Sequence, residues 1–196
     1  TENRVIIDDI ASKLGSYPGI VILVSEPVDF LTTAFIKASG LSVKRVMGLG
    51  GFLDSTRLRY LIAKELSVSM ENVSAMVIGR HADEMLPLPA YCHVSGIPVD
   101  ALIPEKRLTE IFNKTRKSGG LIVDMAERAS AYYGPSAVAS DLADAIIRNT
   151  RRIVSVSQMF TGQYGISGVA MNIPAVIGEG GIEKIMEPIL TDDQKN

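Results

Sequence analysis

Three side chains, Asp54, Arg57 and His81, have the chemistry needed to move a proton beside a bound carboxylate. The imidazole of histidine gains and loses a proton near neutral pH. The planar guanidinium of arginine holds a carboxylate through two parallel hydrogen bonds. Asp54 and Arg57 are three residues apart, which places them on one face of a helix. The same spacing fits an ordinary surface ion pair, so both interpretations of the pair stay open.

His81 lies just beyond the apolar segment 73–79 and is one of only two histidines in the chain. If that segment is a strand, His81 lies just past its carboxyl end, where the sites of α/β proteins collect. A carboxylate within reach would orient the imidazole and stabilise its protonated form. Asp54 and Asp83 are both candidates for that carboxylate. The alternative is a structural or solvated loop histidine.

The apolar pattern of the first half of the chain predicts the helices and strands that carry these side chains. Short, continuous apolar runs are typical of strands buried on both faces of a parallel sheet. A glycine such as Gly40 commonly ends a helix, and the glycines at 48–51 predict a turn. The pattern predicts an N-terminal helix, strands at 19–24, 44–50 and 73–79, and helices at 28–40 and 52–66.

The second half of the chain has a different pattern. It predicts a charged amphipathic helix at 105–117, which Gly119-Gly120 separates or kinks from the next helix, and a helix at 135–149. The strand-like segments 151–160 and 168–178 are joined by a short turn, so they should be antiparallel. The predicted fold class is therefore α/β followed by α+β.

Composition excludes several classes of partner. The net charge is −2, which gives no basic face and argues against a nucleic-acid partner. No apolar run reaches the length that spans a membrane, and no spacing suggests a metal site. The single cysteine, Cys92, excludes an intrachain disulfide and suits a reducing compartment. We expect a cytoplasmic protein that binds neither nucleic acid nor membrane.

Several motifs in register resemble the lactate/malate dehydrogenase family, and among its members the malate dehydrogenases that are similar to lactate dehydrogenase. The two strongest motifs are LDSTRLR, which contains Asp54 and Arg57, and IGRHADEMLPL, which contains His81. The segments EPVDFLTTAFIKASGL, SAYYGP, TGQYG and NIPAVIGEGGIEKI are similar to further family landmarks in the same order. The resemblance runs along the whole chain.

The resemblance implies a role for each residue. His81 would exchange a proton with the carbonyl or hydroxyl oxygen of the substrate, Asp54 would orient His81 and raise its pKa, and Arg57 would hold the substrate carboxylate. Hydride would pass between the substrate and a nicotinamide cofactor, NAD or NADP. The family positions that face this cofactor correspond to Val24, Glu26 and Ser130, with Ala131 as the alternative to Ser130.

The resemblance also implies a domain organisation. The fold would be the end of a Rossmann-type parallel sheet followed by the mixed α/β C-terminal domain of the family. Residues 1–49 would be the remnant of the NAD-binding domain, and residues 50–196 the substrate-binding catalytic domain. Because no G-x-G-x-x-G motif is found, we expect the nucleotide-binding half upstream of Thr1. This chain alone would then be inactive, and the family implies a homo-oligomer, a dimer or a tetramer, with helices 52–66 and 135–149 at the interface.

Two places in the sequence depart from the family pattern. Glu26 replaces the family's asparagine, which offers an amide donor to the substrate oxygen and the cofactor, so the resemblance implies a substrate-binding position for Glu26. Because an ionised glutamate only accepts hydrogen bonds, Glu26 would either repel a dicarboxylate substrate or, with a pKa raised by burial, stay protonated and donate. The alternative is a tolerated change in a protein that still turns over. Arg80 and Ala82 flank His81, where glycine is usual on the far side.

Three functions are consistent with these residues. The leading one is an NAD(P)-dependent malate dehydrogenase, present as its C-terminal catalytic part. The second is a dehydrogenase of lactate or another 2-hydroxy acid, since the loop that discriminates substrates in the family is not found. The third is a non-catalytic relative that serves as an oligomerisation or binding module. Glu26, the altered His81 loop and the missing cofactor half favour the third function, whereas the retained Asp54, Arg57 and His81 oppose it.

Overall fold

Helices and strands alternate over the first 66 residues, as the apolar pattern predicts. The structure is a computed structural model that describes residues 2–125 and 131–195. The elements are α1 (Glu2–Lys13), β1 (Val21–Leu23), α2 (Val28–Ser39), β2 (Val46–Gly48) and α3 (Gly50–Leu66). Strands β1 and β2 are parallel and are connected by α2, which forms a βαβ unit. Helix α3 begins two residues earlier than predicted.

The predicted strand at 73–79 is wrong in one respect, because it is divided between two small sheets. The elements are β3 (Val73–Ser74), β4 (Val77–Ile78), β5 (Leu86–Pro87), β6 (His93–Val94) and β7 (Ile97–Pro98). Strand β6 lies between β3 and β7, and β4 pairs with β5 alone. Val73 is paired with Val94, whereas Ile78 is paired with Leu86. The segment 73–79 can pair with both β6 and β5 only if it changes direction between β3 and β4.

Two long helices come next in the chain, and the predicted break between them at Gly119-Gly120 is wrong. Helix α4 (Glu105–Met125) passes through both glycines, and α5 (Tyr133–Ile147) agrees with the prediction to within two residues. The buried residues Leu108 and Ile111 anchor α4 in the apolar core. Glycine lowers helix propensity by about 1 kcal/mol but does not forbid a helix, so packing decides the outcome.

One five-stranded sheet joins the two halves of the chain. It is completed by β8 (Arg152–Thr161), β9 (Ser167–Gly178) and β10 (Gly181–Ile185), and a short helix, α6 (Asp192–Lys195), lies after β10. The strand order is β1-β2-β8-β9-β10. The β2–β8, β8–β9 and β9–β10 pairs are antiparallel. The predicted fold class is confirmed, with the change from parallel to antiparallel pairing inside one sheet.

Helix α3 is buried between two apolar clusters, which fixes its position. Leu58 and Ile62 belong to a cluster shared with the small sheets and α4. Phe52 and Leu53 belong to another, shared with α5 and the large sheet. Side chains in close-packed interiors occupy defined rotamers. A functional group on this helix is therefore held rigidly.

The described residues contain neither a membrane-spanning helix nor a metal-binding cluster. Within 2–125 and 131–195, no helix is both long and apolar enough to cross a membrane. The same ranges contain no group of three or more histidine, cysteine, aspartate or glutamate residues placed to hold a metal ion.

The uninterrupted course of α4 predicts that Gly120→Ala stabilises the protein by about 0.5–1 kcal/mol, because alanine favours the helix and lowers the conformational entropy of the unfolded chain. A Cβ atom at Gly120 would meet no atom within 4 Å. Gly40→Ala is the matched control, because it also has open space but has a φ of 67°. It should cost about 1–2 kcal/mol. Urea denaturation measures both, and a destabilised Gly120→Ala would contradict the continuous helix.

Candidate active site

His81 and Asp54 form the central contact of the site. The Nδ1 atom of His81 lies 2.5 Å from Oδ2 of Asp54, which comes from the first turns of α3. The Asp54 side chain is only 1% exposed and that of His81 is 12% exposed. Asp83, the other sequence candidate, is exposed on the loop that carries His81. Of the two candidates, the structure therefore brings Asp54 to the imidazole.

Arg57 extends this pair along the same helix face. Its Nη1 atom lies 3.3 Å from Oδ1 of Asp54. Because the Arg57 side chain is 15% exposed and that of Asp54 almost fully buried, this is not the surface ion pair considered as the alternative. A single 3.3 Å contact leaves most of the guanidinium donors available. They border a cleft of about 510 Å³, which His81 also lines.

Glu26 contacts the other nitrogen of the His81 imidazole. Its Oε1 atom lies 3.1 Å from Nε2 of His81, and its Oε2 atom accepts a hydrogen bond of 2.9 Å from the Val28 amide. Partial burial favours the neutral acid, but the contact with His81 outweighs it and lowers the pKa of Glu26. Of the two alternatives for Glu26, the contact with His81 therefore favours the ionised carboxylate over the protonated acid.

The two carboxylates make His81 strongly basic. Burial on its own favours the neutral imidazole, but hydrogen bonds to Asp54 and Glu26, together with their charges, raise the pKa of His81 to about 10. His81 is therefore an imidazolium at neutral pH. An imidazolium donates a hydrogen bond from each ring nitrogen, and here each nitrogen faces a carboxylate oxygen.

A second polar network, which the sequence prediction missed, holds the backbone of the His81 loop. Asp29 accepts a hydrogen bond of 2.6 Å from the His81 amide. The Asn172 side chain donates to the Gly79 carbonyl at 2.9 Å and accepts from the Gly51 amide at 2.5 Å. Burial raises the pKa of Asp29. The available signal was an asparagine within an otherwise apolar strand, where a buried amide needs partners.

Two glycines at the start of α3 allow the helix to lie close to the His81 loop and to β9. A Cβ atom on Gly50 would lie 2.8 Å from Cβ of His81, and one on Gly51 would lie 2.7 Å from Cβ of Asn172. Both distances are shorter than side-chain carbons tolerate. The glycine-rich segment, predicted only as a turn, therefore lets the helix approach the His81 loop and β9.

The cleft is also lined by one further predicted site residue and by one arginine that the sequence does not predict. Val24 lines it just past the carboxyl end of β1 and is 45% exposed. Ser130 lies outside the described residues. Arg116, which the sequence prediction missed, also lines the cleft and donates to the Met85 carbonyl. Arg80 points into solvent, 3.8 Å from Glu84. The cleft thus combines one proton donor with two guanidinium groups.

The raised pKa of His81 predicts a specific dependence of stability on pH. The folded protein keeps the His81 proton until about pH 10, whereas the unfolded chain loses it near 6.5. The stability that the proton contributes is therefore complete below pH 6.5 and is lost as pH rises towards 10. Urea denaturation across this range should show a steeper decline for the native sequence than for His81→Gln. Equal slopes of stability against pH for the two proteins would contradict the ion pairs of His81 with Asp54 and Glu26.

Comparison with known families gives a match over most of the chain. A family model described as the lactate/malate dehydrogenase alpha/beta C-terminal domain matches residues 52–196. The malate dehydrogenase of Geobacillus thermodenitrificans (strain NG80-2) is 38% identical over 197 residues, which covers 100% of this chain and 63% of that protein. The malate dehydrogenase of Methanosarcina mazei is 41% identical over 194 residues, with 98% and 63% covered.

Solved structures of malate and lactate dehydrogenases also match this chain. The malate dehydrogenase of Picrophilus torridus, in its apo form, has a TM-score of 0.92 at 36% identity and covers 97% of this chain. The lactate dehydrogenase of Cryptosporidium parvum, complexed with lactic acid and nicotinamide adenine dinucleotide, has a TM-score of 0.94 at 33% identity and covers 99% of this chain. This chain spans 61% and 63% of those two chains. On sequence and structure alike, the chain belongs to the lactate/malate dehydrogenase family.

Proposed function

We propose that this chain is the catalytic, C-terminal part of an NAD(P)-dependent malate dehydrogenase, which interconverts malate and oxaloacetate. The observation that carries the proposal is the buried Asp54–His81 pair beside Arg57, with His81 and Arg57 lining one cleft. The relatives named malate dehydrogenase, at 38% and 41% identity, support the same substrate.

The proposed mechanism assigns one task to each of the three residues. Arg57 binds a carboxylate of the substrate and so places the reacting oxygen near His81 Nε2. His81 gives that oxygen a proton during reduction and takes it back during oxidation. Asp54 keeps Nδ1 protonated and the ring oriented, since its carboxylate is buried and held by α3. Glu26 borders the same space.

The proposed cofactor is NAD or NADP, whose nicotinamide ring supplies or accepts hydride when bound. The residues that the structure describes fit the nicotinamide end of such a cofactor. Val24 exposes apolar surface at the carboxyl end of β1, where dinucleotides bind in open α/β sheets. Glu26 lies two residues further on, and Ser130 is the third residue proposed to face the ring. The boundary proposed between nucleotide-binding and substrate-binding parts remains at residues 49 and 50.

Lactate dehydrogenase is a second candidate function, because solved lactate dehydrogenases match this chain as well as the malate enzymes do. The Eimeria maxima enzyme, with NADH and oxamate, has a TM-score of 0.93 at 34% identity. Arg57 would bind the carboxylate of either substrate. The two candidates differ in whether the substrate carries a second carboxylate.

Activity assays on the full-length protein test the proposal. We expect reduction of oxaloacetate with NADH or NADPH, and a loss of kcat of about 10²–10⁴-fold in His81→Asn, which removes the proton donor. Arg57→Gln should raise KM for oxaloacetate, because it removes the carboxylate anchor. The same assays with pyruvate distinguish the second candidate.

Matched controls are available for both substitutions. His93→Asn removes the other histidine, which lies in β6, and Arg80→Gln removes an exposed arginine of the His81 loop. Both should retain activity. A full-length protein that transfers hydride to no 2-oxo acid would overturn the proposal and favour a non-catalytic binding module.

We further propose that the protein forms a homo-oligomer through α3, α4 and α5. These helices border an apolar groove of about 700 Å³. Tyr60, Leu121, Tyr132 and Tyr133 line it and are at least half exposed. Exposed apolar patches of this kind mark interaction surfaces.

Analytical ultracentrifugation of the full-length protein checks the oligomer. We expect a dimer or tetramer that Tyr133→Glu shifts towards monomer, because a charge would be buried in the interface. Ile189→Glu is the control, since Ile189 is similarly exposed but lies in the C-terminal segment, outside the groove. A monomeric native protein, or equal effects of both variants, would contradict the proposed interface.

A further inference from the structure

The nitrogen of His81 that faces the cleft already has a hydrogen-bond partner. Asp54 binds Nδ1 from the buried side, and Glu26 lies 3.1 Å from Nε2 on the cleft side. In the proposed mechanism, Nε2 is the atom that must reach the substrate oxygen. Glu26 therefore occupies the partner position that the substrate needs.

This contact favours only the protonated ring. A carboxylate is purely an acceptor. When His81 is protonated, its Nε2–H donates to Glu26. When His81 is neutral and keeps its proton on Nδ1, towards Asp54, the Nε2 lone pair faces the Glu26 oxygen and the contact becomes repulsive. Glu26 therefore stabilises the imidazolium specifically.

The position of Glu26 is fixed by the backbone rather than by His81 alone. Its Oε2 atom accepts from the Val28 amide at 2.9 Å, which aims Oε1 at the imidazole. The side chain is still 59% exposed, so a substrate can replace it at Nε2. The carboxylate is thus held in place yet open to displacement.

We propose that Glu26 is a positioning residue that holds the Nε2 proton of His81 until a substrate oxygen replaces it. Glu26 thereby sets the pH range over which the site can donate that proton. The proposal rests on the proposed function for its catalytic consequence. During reduction, the carbonyl oxygen takes the Nε2 proton and His81 is left neutral, while the hydride that the carbonyl carbon gains would come from the nicotinamide cofactor. Oxidation reverses each transfer.

The other charged groups around His81 do not replace Glu26 in this role. Asp29 accepts from the His81 amide, not from the ring, and Arg57 contacts Asp54. Asp83 and Arg116 line the same cleft, and Arg116 is bound to the Met85 carbonyl. The described partners of the ring itself are Asp54 and Glu26. Of these two, Glu26 faces the nitrogen that the substrate uses.

The first test measures the His81 proton directly. Histidine-selective NMR of the full-length protein, titrated with pH, gives the pKa of His81, assigned by loss of its signal in His81→Gln. The native protein should titrate near 10. Glu26→Gln and Glu26→Asn should each lower its proton affinity roughly tenfold or more, since one facing charge is removed. Glu84→Gln, an exposed carboxylate of the same loop, should change nothing.

The second test separates this role from a purely structural one. In the full-length enzyme, kcat/KM for the 2-oxo acid should fall with pH at the His81 pKa of the free enzyme. Glu26→Gln should move that midpoint to lower pH and lower KM, because the substrate no longer competes with a carboxylate. Glu84→Gln should leave both unchanged.

The outcomes separate the two proposals. A His81 pKa that is the same in native protein, Glu26→Gln and Glu26→Asn overturns the role of Glu26, whatever the activity. A Glu26-dependent His81 pKa in a protein that reduces no 2-oxo acid supports the proton-holding contact and overturns the proposed function.

Discussion

The hydrogen bond between Asp54 and Nδ1 of His81 sets the geometry of the whole site. It joins residues 27 positions apart in sequence at 2.5 Å. For the buried carboxylate to reach the ring, α3 must begin close to the His81 loop, which glycine at 50 and 51 permits. The loop must in turn be held against β9, which the Asn172 side chain achieves through Gly79 and Gly51.

Charge balance explains why this arrangement is tolerated in a largely buried place. A buried carboxylate without a partner would cost several kcal/mol, so Asp54 needs a cation. The His81 imidazolium and Arg57 both supply one, on opposite oxygens of the same carboxylate. Glu26 adds a second negative charge at the outer nitrogen of the ring. The site therefore keeps its proton more tightly than a single Asp–His pair would.

Sequence patterns predicted some of this arrangement and missed the rest for identifiable reasons. Helix α3 and the buried strands are predicted by apolar periodicity, which is a local property. The break at Gly119-Gly120 was wrong because packing of α4 overrides a weak propensity. The division of 73–79 into β3 and β4 depends on partners at 86–94, which lie outside the segment whose apolar pattern was used. The lowered pKa of Glu26 requires the His81 contact, which the local sequence does not contain.

The fold class, the family and the residue types that could transfer a proton follow from the amino-acid sequence, because motifs and periodicity depend on residues that are near one another in the chain. The sequence left open whether Asp54 or Asp83 serves His81, whether Arg57 lies on the surface, and what charge Glu26 carries. The folded structure resolves these three points, since each depends on distances between residues from different elements. The roles of Asn172 and Asp29 belong to the same group, because hydrogen bonds between β9, α2 and the His81 loop exist only once the chain has folded.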